Sequence, residues 1–536
     1  MYDPSRRRLI VAATAGDVEA MSVLLQESYE PAVLMTLWDN EGSTALMRAA
    51  AGGHMDSMRL LMDHELADPA VMMHTDHSGA TALTVAAQFG HLETMRLLLD
   101  HPSADAAALI ALTDNEGRTP LMRAAEGGHT DAVQLLLYHP SADAAAHMMM
   151  TNSGGATALT LAARNGHAAA MRVLLAHPSA DAAALMTQTA AVAVTGATAL
   201  MRAAWRGDVA AMRLLLAHPS ADAAAMMALT DNDGWNALMR AAANGHVGGM
   251  RLLLDHSSAD VAAMAHADSY GWNALMRAAV DGHEDAMRLL LYHANADAAA
   301  MMLHARSDGT TALMLAGAHG HLGSMRLLLD HPSADAAAMM RHANARGSTL
   351  ALCARHSQVG AMRVLLAHPS ADAGMMMQTT ANGFTALMSA AEEGQVGAMR
   401  ALLDHPSADA AAMIAVVTTA GRSALTLAAG FAAGRCSQSP RAPAHSCAPL
   451  LLLLRRVPVE PHPSGASDAQ EAHMSLVMQA LCHGPRSSAL FGDHLDGARD
   501  ESVRLMLERG ARVSGRTNNP CLSRIILNSV ARQQQQ

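Results

Sequence analysis

The stretch GWNALMRAAANGHVGGMRLLLD, Gly234–Asp255, contains two short apolar segments and a polar turn between them. Asn236 is an N-cap residue type, and the small residues of Ala237–Ala243 after it suit a short helix. Asn244, Gly245 and His246 supply the turn. Met250, Leu253 and Leu254 then recur at the i, i+3, i+4 spacing of one helix face. Ala241 and Ala242 let a neighbouring helix pair approach closely. One such hairpin cannot bury its apolar face alone, so the stretch predicts a stack.

The rest of the chain supplies that stack. Positions equivalent to Asn236 fall at Thr44, Thr81, Thr119, Thr157, Thr198, Asn273, Thr311, Ser348, Thr385 and Ser423, at steps of 37 or 38 residues with one step of 41. Between the hairpins runs a second recurring motif. HPSADAAAMM stands at His218–Met227 and again, unchanged, at His331–Met340, with close copies beginning at His64, His101, His139, His177, His256, His293, His368 and His405. Its Pro stops the preceding helix, its Asp offers an N-cap, and AAAMM is strongly helical. A third helix of one or two turns is therefore expected in each layer, with its Met pair packed against the next.

The repeat resembles the ankyrin repeat. The family pattern of Gly-x-Thr-Pro-Leu, Ala-Ala, Gly-His and Leu-Leu-Leu is met by Gly117, Thr119, Pro120, Leu121, Ala124, Ala125, Gly128, His129 and Leu135–Leu137. Two features depart from it. The histidine that follows Pro-Leu in the family is mostly Met here (Met47, Met122, Met201, Met239, Met276, Met314, Met388), and the HPSAD segment replaces the usual Gly-Ala-Asp ending. The resemblance implies an all-α ankyrin-repeat solenoid of stacked helical hairpins, here with an extra short helix per repeat. Its expected organisation is an N-terminal capping hairpin (1–43), the array (44–430), a Pro/Ser-rich insertion that includes the displaced helix of the last regular repeat (431–469), and a degenerate C-terminal capping hairpin with a disordered tail (470–536).

Composition narrows the function classes. The chain is 51% hydrophobic, rich in Ala, Leu and Met, and poor in the residues that favour strands. All 37 basic residues are arginine, which excludes a Walker A lysine, a phosphate-pairing kinase lysine and a Schiff-base lysine. The net charge of −11 has Arg and acids interspersed, with no basic stripe, so no nucleic-acid partner is expected. Five cysteines without a CxxC pair suit a reducing compartment. The apolar run in MYDPSRRRLIVAATAGD is too weak for a signal peptide, and the leucines at 450–454 are too few to span a bilayer. A monomeric, cytoplasmic protein without a membrane span is expected, with the nucleus as the alternative compartment.

Catalytic and metal signatures fail on spacing. HExxH, GxSxG and GxxxxGK[ST] are absent from the sequence. LTDNDG (229–234) looks like a calcium loop, but aligning its Gly puts Leu229 and Arg240 where Asp and Glu are required, so it reads as a turn. The histidines that begin each HPSAD segment sit one per layer, too far apart to share a metal, and suit a helix C-terminus, where they can bond the last carbonyls. Cys436, His445 and Cys447 lie close in sequence without the spacing of a zinc knuckle. No enzyme activity, cofactor or metal is expected.

Function in a repeat array resides where the copies differ. By the resemblance, partner-facing positions are the finger tips and the pair between Ala-Ala and Gly-His. Trp205 and Arg206 form one such pair, Trp235 and Trp272 follow finger glycines, and Tyr270 is beside the second. Three of the chain's four tryptophans thus fall in three consecutive layers. Two readings stand: these rings anchor a partner, or they lie over the finger backbone and fill gaps left by small residues. The expected function is a non-enzymatic scaffold or adaptor that binds a partner protein on the concave face. The alternative is a regulatory or targeting subunit that recruits an enzyme through residues 431–536.

Overall fold

The computed structural model describes residues 4–65, 70–188, 196–258, 265–294, 296–428, 430–431 and 448–456. Almost every element in it is helical, and the chain forms two compact units, Met1–Ser269 and Tyr270–Gln536. In the first unit the layers begin with the helices Pro4–Ala15, Ala45–Gly52, Ala82–Phe89, Pro120–Gly127, Ala158–Asn165, Ala199–Arg206 and Ala237–Ala243, each packed on the next. Their antiparallel partners, from Val18–Glu27 to Val247–Leu254, make a second row packed in the same order. The second unit repeats the pattern, with first helices Ala274–Asp281, Ala312–His319, Thr349–Arg355 and Ala386–Glu392. Its last described helix, Ala448–Arg456, packs on Val396–Leu403.

Local signals start and stop these helices as expected. The Asn236 side chain accepts the Met239 N–H at 2.9 Å, and Thr44, Thr119 and Thr385 cap their helices in the same way. The alanine pairs and the methionines after the N-caps are fully buried, including Ala241, Ala242 and Met239. Met250 is 0% exposed, as are Met58, Met95, Met171 and Met212 at the same position in the first unit and Met287, Met325, Met362 and Met399 in the second. In each unit these residues fill the interior with a flexible, polarizable side chain.

The third helix is present in the described copies of the motif. Ala106–Ala111 is capped by Asp105, whose carboxylate accepts the Ala108 N–H at 3.0 Å; Asp222 and Asp335 do the same for Ala223–Ala228 and Ala336–Arg341. Met226, Met227, Met339 and Met340 are buried. Within a unit this helix packs on the second helix of its own layer or the first helix of the next. The copies at His64 and His256 have their capping segments, 66–69 and 259–264, outside the described residues.

The leading histidine of the motif bonds differently from the expectation. One copy bonds a helix-end carbonyl, His405 Nε2 donating to Leu366 of the preceding layer at 3.1 Å. The common bond is another: Nδ1 accepts the backbone N–H of the Ser two residues on, at 3.2 Å for His101 and Ser103, and the same bond recurs at His139, His177, His218, His256, His331, His368 and His405. The turn after the helix folds the ring back onto itself with or without proline, since His256, followed by Ser257, makes the same bond at 3.2 Å. Where the preceding layer closes on Asp, Nε2 faces that carboxylate, at 3.5 Å between His101 and Asp63 and 3.9 Å for His139 with Asp100 and His368 with Asp330.

One layer breaks the apolar pattern. His147 takes the place that Leu109 and Leu185 hold in the neighbouring third helices; it is buried, and its Nδ1 has no hydrogen-bond partner. Burial pushes its pKa below 6.5, and the nearby Asp143 only partly offsets this. A neutral ring in the folded state and a titrating one in the unfolded state mean that stability declines as pH falls below 6.5. The variant His147→Met is expected to unfold at higher denaturant than wild type, by a margin that widens between about pH 7 and about pH 5. A margin independent of pH would contradict the buried neutral ring. Met250→Asp places an unpaired charge in the core and is expected to cost at least about 3 kcal/mol. An unchanged thermal unfolding curve would remove residue 250 from the core.

Candidate functional site

The finger loops that precede the first helices carry most of the candidate residues, and in several of them an aspartate shapes the turn. Asp231 is buried and turns the loop by accepting the backbone N–H groups of Asp233 (3.0 Å) and Trp235 (2.9 Å). Its second oxygen receives the Arg240 guanidinium, with Nε at 2.9 Å. Asp39 engages Arg48, and Asp114 engages Arg123, in the same geometry. For Asp114, burial alone would raise the carboxyl pKa. The Arg118 N–H and the Arg123 guanidinium outweigh burial and hold it below 3.8. The LTDNDG segment is thus a turn locked to its own helix.

That lock decides where Trp235 lies. Arg240 is fixed by Asp231, and its guanidinium carbon stands 4.4 Å from the Trp235 ring centroid, so the half-buried indole has a cation over one face. In the second unit Trp272 has two such partners, Arg277 at 4.1 Å and Arg306 at 4.3 Å. Tyr270, beside it, is 62% exposed, and its carbonyl accepts the Ser307 N–H from the next finger at 3.3 Å.

Trp205 has a different setting. It lies at the end of Ala199–Arg206, with its ring 49% exposed and its carbonyl held by the His246 Nε2–H at 3.0 Å. Arg206, next to it, is also exposed. Trp205, Arg206 and Trp235 therefore belong to adjacent layers of the first unit, and Tyr270 and Trp272 to the second. Positions four, seven and eight after each N-cap share one helix face, and on Ala199–Arg206 they are Arg202, Trp205 and Arg206.

The aspartate-to-arginine bond was missed by sequence reasoning, although a signal existed. The residues of each bonded pair stand nine apart at 39/48, 114/123 and 231/240, and 268/277 has the same spacing, whereas 152/161, 344/353, 380/389 and 418/427 carry a neutral residue at both places and Asp76 stands nine before Val85. The segment with Cys436, His445 and Cys447 lies outside the described residues. Among the described residues no group of three or more His, Cys, Asp or Glu could hold a metal ion, and no helix is long and apolar enough to cross a membrane.

Because Asp114 is depressed in the folded state, its contribution to stability is present at neutral pH and is lost as pH falls through its folded value below 3.8. Asp114→Asn leaves Arg123 with half of its bond and is expected to destabilise by about 1–3 kcal/mol at neutral pH. Urea titrations of both proteins at about pH 7 and about pH 3 should show the gap closing in acid. A constant gap would assign the loss to packing instead.

Comparison with known families agrees with the geometry. The family model "Ankyrin repeats (3 copies)" matches seven overlapping segments from residue 9 to residue 340, and the single "Ankyrin repeat" model matches 382–413. No curated protein matches the chain. Ankyrin repeats are in general protein–protein interaction modules. Repeat spacing, stacked hairpins and model matches over more than half of its length agree, and the chain belongs to the ankyrin-repeat family.

Proposed function

We propose that this chain is a non-catalytic scaffold or adaptor that binds a partner protein on the face made by its finger tips and first helices, the concave face in the family's fold. The half-exposed Trp205 ring with exposed Arg206 beside it carries this reading. An indole held from behind by a bond to its own carbonyl, in a chain with four tryptophans, is the residue type that dominates interface energetics. Trp235 and Tyr270 extend the contact surface in their layers, and the arginines over Trp235 and Trp272 orient those rings. We place the protein in the cytoplasm, without a cofactor.

The test is capture from native cell extract, read by mass spectrometry, with wild type and the triple variant Trp205→Ala, Trp235→Ala, Trp272→Ala as baits. A partner held by wild type and weakened at least about tenfold by the variant is the expected result. Equal retention would demote the rings to packing and move the search to residues 431–536.

A further inference from the structure

In the second helices every Met-Arg pair buries the methionine and exposes the arginine. What neutralises that arginine differs along the chain. One turn back on the same helix face, Asp56 pairs with Arg59 at 3.6 Å and Glu93 with Arg96 at 3.8 Å. Elsewhere the sequence drops the acid. Ala169, Ala210 and Gly248 stand one turn before Arg172, Arg213 and Arg251 in the first unit, and Gly323, Gly360 and Gly397 before Arg326, Arg363 and Arg400 in the second. The six helices read AAAMRVLLA, VAAMRLLL, VGGMRLLL, LGSMRLLL, VGAMRVLLA and VGAMRALL, without one Asp or Glu.

The acids just beyond these helices serve other groups. Asp208 caps its own helix by accepting the Ala211 N–H at 3.0 Å, Asp330 faces His368 at 3.9 Å, and Asp404 bonds Arg456. Glu284 rests against Gly323 without pairing with Arg326. The closing place is neutral at Ala176, Ala217 and Ala367. None of the six arginines has an ion-pair partner among the described residues. The helix dipole favours a cation in the last turn, which accounts for arginine there but not for the loss of the acid beside it. In each unit the three helices pack in succession, so each unit bears a row of unpaired guanidinium groups set among Ala and Gly.

We infer that each row docks an acidic α-helix of a partner protein, laid across the three layers with a carboxylate opposite each arginine. Packed helices lie about 10 Å apart, and an α-helix advances about 10.5 Å in two turns, which returns a side chain to the same face. One acid per seven residues therefore meets every layer in register. An extended chain covers about 10 Å in three residues, when its side chain points to the opposite face. Guanidinium forks take carboxylates through paired hydrogen bonds, and the small neighbours leave room for a helix to approach. Ala169, Ala210 and Gly248 offer no apolar anchor to a bilayer, and a net charge of −11 opposes a nucleic acid. These rows lie on the second helices, apart from the Trp205 surface, and the inference stands independently of it.

The test uses the full-length chain and fluorescein-labelled, Ala-rich helical peptides of about 21 residues, read by fluorescence anisotropy. One peptide carries Glu at every seventh position; the control has the same composition with Glu at every fifth, so its charge is equal and its stripe broken. The first is expected to bind, two per chain, at least about tenfold tighter than the control, and to weaken as salt rises from about 0.05 M to about 0.3 M. Arg172→Gln, Arg213→Gln and Arg251→Gln together should remove one of the two sites, and adding Arg326→Gln, Arg363→Gln and Arg400→Gln should remove both. All six side chains are exposed, and unchanged circular dichroism melting would certify the fold. Equal affinity for the two peptides, binding retained by the sixfold variant, or no binding below about 1 mM would overturn the proposal. Tighter binding of an oligothymidylate or of phosphatidylserine vesicles would overturn it in favour of a nucleic acid or a membrane. Trp205-dependent capture from extract should persist in the arginine variants, and its loss would overturn the separation of the two surfaces.

Discussion

Many neighbouring layers within a unit are joined by an imidazole resting on a glycine. Gly90 adopts φ +74° after its helix, and a Cβ there would stand 2.3 Å from Nδ1 of His129 in the following layer. The ring can approach only because nothing occupies that place, and its Nε2–H then donates to the Gln88 carbonyl at 3.0 Å. His91 repeats this contact on Gly53 and Ala51, and His321 repeats it on Gly282 and Val280 in the second unit. The helix C-terminus, whose carbonyls lack intrahelical partners, is thereby satisfied by a neighbouring layer. A second set of histidines does the same for the fingers, as His342 does for the Gly309 carbonyl at 2.8 Å.

These bonds explain why two departures from the family pattern coexist with its fold. The position after Pro-Leu can be a buried methionine because the layers are already tied through the turn histidine and the finger backbone. The HPSAD insertion can grow a helix because Pro, Ser and Asp close the turn within the layer and leave AAAMM to pack outward onto its neighbours. Each layer therefore gains apolar core without changing the hairpin that defines it.

Much of this was legible in the sequence because it depends on local chemistry. Asn236 as a cap, Met250 as an inward residue and Asp222 as the start of a third helix each follow from a spacing of a few residues. The candidate site was legible in composition but not in orientation. No local rule says that Arg240 will lie over Trp235, since that depends on Asp231 reaching across from the finger loop. The bond that the HPSAD histidine makes to its own turn was missed for a related reason. Helix-end statistics point to the helix carbonyls, but the turn that follows brings the Ser N–H onto the ring, also where Ser257 stands in place of proline. Trp205 was found by rarity, and only the coordinates distinguish its open face from the arginine-covered ones.

The methionine columns give the protein an internal record of its own breathing. A thioether in the native core is shielded from peroxide, and it is converted to sulfoxide only when its layer opens. The sulfurs of Met58, Met212 and Met399 sit at the same depth in different layers, so their relative rates of oxygen uptake compare local opening along one chain with a single chemical reporter. Oxidation would also be self-propagating: a polar sulfoxide wedged between two layers weakens the packing on both sides and exposes the next sulfur in the column.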